Sequence, residues 1–224
     1  MNQSIKEYYD NLAPAYDEDR FGNTYGQYID SQEKTILQKL LSHSKDEKIL
    51  DMGCGTGRFL EFANYGIDIS PNMIEQSKRK FPNKTLAVQS ATSTDFESNY
   101  FDKIFSFHVL MHLDKSTTND VLNEAHRILK KEGTLIIDIP SKKRRKFTNY
   151  KADNWHGAND YTIEELKGIC KNKWHIEKHY GIAYFPIHRI PNSLRVPLIK
   201  IDNLLCRSIF KEYASYLIVV LKKL

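Results

Sequence analysis

Cysteine is scarce in this 224-residue chain, and the three present, Cys54, Cys170 and Cys206, lie far apart with no C-x-x-C pair. An odd number at wide spacing suggests neither a disulfide frame nor a zinc site, so no metal is expected. Long apolar runs are missing too: nothing approaches the roughly 18 residues that span a bilayer, and Leu217–Leu221 is only strand-sized. The opening Met1-Asn2-Gln3-Ser4-Ile5-Lys6 has neither the basic nor the apolar region of a signal peptide. With no internal repeat and no low-complexity linker, the expectation is one cytoplasmic α/β domain over 1–224, since the length is short for two.

Acidic charge is scarce in one part of the chain. Residues 1–139 carry 16 Lys and Arg against 21 Asp and Glu, a net of −5, whereas residues 140–224 carry 17 against 7, a net of +10. The densest run, Lys142-Lys143-Arg144-Arg145-Lys146, suits an anionic substrate, a nucleic acid or an anionic lipid headgroup, or serves solubility alone.

A third absence lies within the most informative stretch, Ile49-Leu50-Asp51-Met52-Gly53-Cys54-Gly55-Thr56-Gly57-Arg58-Phe59-Leu60. A short apolar strand runs into an acid and three alternating glycines, which turn the backbone sharply and admit a close ligand. Dinucleotide binding would need G-x-G-x-x-G, and the third glycine position holds Arg58. Eleven residues past Gly57, Asp68 ends the second strand, where a doubly wound sheet offers two carboxylate oxygens to two ribose hydroxyls. Ser70 caps the following helix with Pro71 at its first position.

The pattern Asp51-x-Gly53-x-Gly55-x-Gly57, followed by Asp68-Ile69-Ser70-Pro71, resembles motifs I and II of class I S-adenosylmethionine (SAM) dependent methyltransferases. The segment Tyr8–Asp17 is similar to the N-terminal lid of the small-molecule members, and Arg127–Leu135 to the family's late motif, with Glu132 where proline is usual. The resemblance covers about residues 5–180. It implies a Rossmann-like doubly wound sheet of seven strands in order 3-2-1-4-5-7-6 with strand 7 antiparallel. By the same resemblance, Asp51 and the backbone of Gly53, Cys54, Gly55 and Gly57 hold the methionine half of SAM, Asp68 the ribose, and Ile69 and Met73 the adenine. Tyr16 and Tyr9 close the lid. The family's Gly-Asp-Ala after strand 3 is replaced by Gln89-Ser90-Ala91, so adenine recognition falls to the Ala91 N–H and the Ser90 or Thr92 hydroxyl. At the end of strand 4, Phe107, His108 and His112 face the reacting methyl, and His112 is the candidate general base.

The expected activity is methyl transfer from SAM to an O, N or C nucleophile of a small molecule, leaving S-adenosylhomocysteine. The alternatives are an RNA or protein methyltransferase using the basic last third, or a SAM-binding protein without catalysis. A nucleic-acid partner is disfavoured, and a monomer or homodimer is expected. The domain divides into a lid and cover helix (1–45), a SAM-binding half (46–140) and an acceptor-side half (141–224). Along the chain, helices are expected over 5–12 (ended or bent by Pro14), 28–41, 58–63, 117–130, 162–171 and 198–210. Strands are expected over 49–52, 65–69, 85–89, 101–108, 134–139, 174–180 and 213–222. Polar turn covers 42–48, and residues 142–157 form a basic, poorly periodic loop.

Overall fold

The computed structural model describes residues 3–41, 46–152, 155 and 157–224. The turn over 42–48 and the loop over 142–157 therefore lie partly outside the described residues. The chain begins with α1 (Gln3–Leu12), and Pro14 interrupts it as a 3₁₀ turn, Ala13–Ala15, before α2 (Tyr16–Phe21) and α3 (Thr24–Leu41). There follow β1 (Ile49–Met52), β2 (Tyr65–Asp68), α4 (Pro71–Lys80), β3 (Thr85–Val88), β4 (Phe101–Ser106), α5 (Lys115–Ile128) and β5 (Leu129–Pro140). The last third holds α6 (Lys142–Phe147), α7 (Ile163–Cys170), β6 (Trp174–Ile182), α8 (Asn192–Leu205) and β7 (Tyr216–Lys223).

One seven-stranded sheet runs β3-β2-β1-β4-β5-β7-β6. The first five strands are parallel, and β7 is antiparallel to both β5 and β6. Strand alternation feeds a core on each face. Leu135, Ile137 and Ile139 pack with Val121, Leu122 and Ala125 of α5, while Ile136 between them packs with Ile29 and Leu37 of α3. Side-chain caps fix the helix starts: Ser70 for α4, Asp114 for α5, and a Thr162–Glu165 capping box for α7.

The helix expected over 58–63 does not form. Residues 54–62 run instead as successive tight turns, with Gly57 N–H bonded to Cys54 C=O, Leu60 N–H to Gly57 C=O and Phe62 N–H to Phe59 C=O. Register explains this. Leu50 pairs with Tyr65, so the chain must return nearly the length of a strand within a dozen residues, and three-residue turns cover more distance per residue than an α-helix. The clamp that a helix would have supplied comes from Arg58. Its Nε donates to Asp30 at 2.8 Å, its Nη2 bonds Glu33, and its guanidinium lies over the Phe21 and Phe59 rings at 4.0 and 4.1 Å.

Three other expectations are corrected. The basic run is not loop but α6, capped by Ser141; its charges are answered from elsewhere, by Glu165 for Lys142 and Glu212 for Lys143. Strand five starts at Leu129, and Glu132-Gly133 sits in an irregularity of that strand rather than ending the helix, which stops at Ile128. The expected 198–210 helix lies earlier, at 192–205, and contains Pro197.

Candidate active site

The carboxyl ends of β1, β2 and β4 surround an open cleft. Gly53 and Gly55 form its floor in the left-handed region, at φ 91° and 51°. A Cβ on Gly53 would come within 2.2 Å of Val109 Cγ2, whereas one on Gly55 would meet nothing within 4 Å and would project into open space. The backbone here is a cradle that a side chain would fill.

Asp68 borders this cleft at the end of β2. Gly55 N–H donates to its Oδ2 and Ser70 N–H to its Oδ1, both at 2.9 Å. Burial raises its pKa, and the two backbone donors work against that rise. Ile69, Met73 and Ala91 add apolar wall, with Gln89 beside Ala91. Tyr9 and Tyr16 cover the cleft from the N-terminal segment, and Phe107, His108 and His112 close the far side.

Five of the expected contacts are not among the side chains lining the cleft. Asp51 is 2 % exposed, with its pKa driven well up by burial and by Asp68. Cys54 spends its N–H on Ile67 C=O and packs in the core below. At Gly57 (φ 92°) a Cβ would press on the Phe81 ring, so this glycine serves the turn. The Ser90 and Thr92 hydroxyls bond each other at 2.8 Å.

A second cavity adjoins the first and shares Tyr9, Tyr16, His108 and His112 with it. Arg20, Phe21, Tyr25 and Ile29 wall it from α2 and α3, and Met111 and Tyr216 from below. His112 is engaged at both nitrogens. Gly157 N–H donates to Nδ1 at 3.1 Å, which assigns the ring proton to Nε2, 2.9 Å from the Tyr9 hydroxyl. In this arrangement the lone pair a general base needs is already in use.

His108 is held in a network that the sequence reading overlooked. Its N–H donates to Asp138 Oδ1 at 2.7 Å and its Nε2 to Glu33 Oε1 at 2.9 Å, with φ 58° aiming the ring between them. Burial alone would lower the His108 pKa, but the Glu33 and Asp138 carboxylates raise it. Asp138 is wholly buried, its Oδ2 has no hydrogen-bond partner among the described residues, and burial pushes its pKa up to about 6. Glu33, His108 and Asp138 bring ligand-capable atoms within 4.8 Å of one another, yet Arg58 already answers one Glu33 oxygen. Both carboxylates left a trace in the sequence: Asp138 interrupts the apolar run Ile136-Ile137-Asp138-Ile139, and Glu33 sits on the apolar stripe of Ile29, Ile36 and Leu37.

The strand order, glycine cradle and strand-end carboxylate define a doubly wound α/β protein built for a nucleoside-bearing ligand. A family model described as a methyltransferase domain matches residues 50–137. The chain is 30 % identical to an uncharacterized protein of Methanocaldococcus jannaschii, over 98 % of this chain and 90 % of that one. It is 29 % identical to a demethylmenaquinone methyltransferase of Bacteroides fragilis, over 61 % of this chain and 60 % of the relative. The magnesium protoporphyrin IX methyltransferase of Synechocystis, solved with S-adenosylhomocysteine, shares the fold at TM-score 0.67 and 13 % identity, covering 99 % of this chain and 98 % of the other. The chain belongs to the class I SAM-dependent methyltransferase superfamily and is a methyltransferase that uses SAM.

Proposed function

We propose that the chain methylates a small molecule seated in the second cavity, with SAM in the first. The observation that carries this reading is the shared wall: Tyr9, Tyr16, His108 and His112 border both spaces, so two ligands there meet face to face. SAM brings a methyl group already activated by its sulfonium charge. Asp68 accepts from the ribose hydroxyls, Gly53 and Gly55 let the chain approach the ligand, and Met73 and Ala91 border the adenine.

The protein's part is alignment and exclusion of water rather than proton removal. His112 donates to Tyr9 while accepting from Gly157, so it positions the lid tyrosine. Burial raises the Tyr9 pKa strongly, which keeps its phenol neutral. The acceptor is then an amine, or an oxygen or carbon acid that ionises by its own chemistry. Calorimetry with SAM, followed by turnover across acceptors of graded pKa, tests this. The reading requires a pH–rate limb that moves with the acceptor's pKa; a limb fixed for all acceptors would restore an enzyme base.

A further inference from the structure

Large apolar side chains left exposed among the described residues concentrate in one stretch of the last third. Leu204 (70 % exposed) and Ile201 (48 %) stand on the outer face of α8, Ile209 (88 %) and Phe210 (50 %) on the turn that follows it, and Phe147 (75 %) at the end of α6. The Phe147 ring meets Tyr213 edge-on at 6.3 Å, which joins the end of α6 to the segment leading into β7. This outward display is held in place. Asp202, on the opposite side of α8 and wholly buried, accepts from the Tyr28 hydroxyl at 2.7 Å, Gln32 Nε2 at 3.1 Å and Phe185 N–H at 2.6 Å.

Exposed cations share the stretch. Lys146, Lys200 and Arg207 are exposed and have no acidic partner within 4 Å among the described residues, in a third of the chain that carries a net +10. The surface also starts beside the second cavity. Only the cap Ser141 separates α6 from Pro140, which pairs with Tyr216, and Tyr216 lines the second cavity.

We propose that this surface docks on an anionic lipid bilayer, and that the acceptor is an amphiphile drawn from that bilayer into the second cavity. The acceptor half rests on the methyl-transfer reading above; the docking half does not. Cations alone would serve an RNA equally well. Phe147 and Phe210 would stack on a base as well, but Ile201, Leu204 and Ile209 offer nothing to a phosphate and no flat face to a base, whereas all five gain by entering the acyl boundary beside a layer of anionic headgroups. No helix among the described residues is long and apolar enough to cross a membrane, so the contact is one of lying on the surface.

The test is flotation of the full chain with phosphatidylcholine vesicles, with and without phosphatidylglycerol. Binding is expected only with phosphatidylglycerol and should weaken as salt rises. Ile209→Asp combined with Phe210→Asp should reduce partitioning by about tenfold or more, and each of Lys146→Gln, Lys200→Gln and Arg207→Gln by roughly fivefold. SAM affinity, measured by calorimetry on each variant, should stay unchanged and reports on folding. Absence of binding by the native chain, full binding by the apolar double variant, or preference for a single-stranded RNA oligomer at equal salt overturns the docking. Vesicle binding without SAM binding would overturn the methyl-transfer reading and the acceptor half, and leave the docking in place.

Discussion

The two cavities that meet at Tyr9, Tyr16, His108 and His112 are walled by different material. The inner one is built from strand ends and backbone: Gly53, Gly55, Ile67 and Asp68 sit where the parallel sheet puts them. The outer one is built from side chains on α2, α3 and the start of β7, among them Arg20, Tyr25 and Tyr216. Substitutions in the outer wall can change shape and polarity without moving the sheet, whereas the inner wall is tied to strand pairing. One scaffold can thereby keep its methyl donor and vary what it methylates.

The largest effect should come from breaking what both cavities lean on. Arg58→Ala leaves Glu33 charged and wholly buried, with one partner fewer, and should cost about 3–5 kcal/mol of stability in denaturant unfolding. Native-like stability would mean that the turns after the glycine loop need no clamp. Next, Asp68→Ala should weaken SAM binding by about 1–3 kcal/mol while acceptor KM holds, as read by calorimetry and steady-state kinetics. Tyr25→Ala is the converse: acceptor KM rises roughly tenfold with SAM affinity intact. A fall in SAM affinity there would merge the two cavities into one site. For His112→Ala, kcat should drop by less than about 100-fold with SAM affinity preserved; a larger loss would indicate proton transfer rather than positioning.

The smallest effect concerns pH. Asp138 and His108 both hold protons more tightly folded than unfolded, so the stability they contribute is complete at low pH. It is lost as pH climbs from the ordinary carboxylate range through about 6 for Asp138, and further through the raised His108 pKa. Asp138→Asn keeps an acceptor for the His108 N–H and should flatten the first of these losses in thermal melts taken across that range.

Legibility followed the same division. The places of Gly53, Gly55 and Asp68 at the strand ends were readable because a sharp turn and a strand-end carboxylate demand particular residue types at particular spacing, and the strand order was legible only through the family resemblance that those residues carry. Arg58 was read only as a missing glycine, although it carries the clamp, because its partners Asp30 and Glu33 lie about 25 residues away and only folding brings them together. The helix at α6 was hidden by five consecutive cations, which leave no apolar period to detect. The outer cavity was invisible for a related reason: Tyr25, Met111 and Tyr216 follow no motif, and what joins them is topology.

The N-terminal segment is fastened over the cleft largely by polar contacts. Asp10 accepts from the Ser70 hydroxyl and from Asn72 N–H, and its own C=O takes Asn72 Nδ2; Asp17 takes the Thr56 hydroxyl at 2.6 Å and also Lys80. Ile5 and Ala13 are its buried apolar anchors. Because that seam is polar while Tyr9 and Tyr16 pack half-buried rings beneath it, the segment would open as a door at a cost that salt lowers. The pace of turnover would then be set by how often that door swings, with spent S-adenosylhomocysteine escaping faster as ionic strength rises.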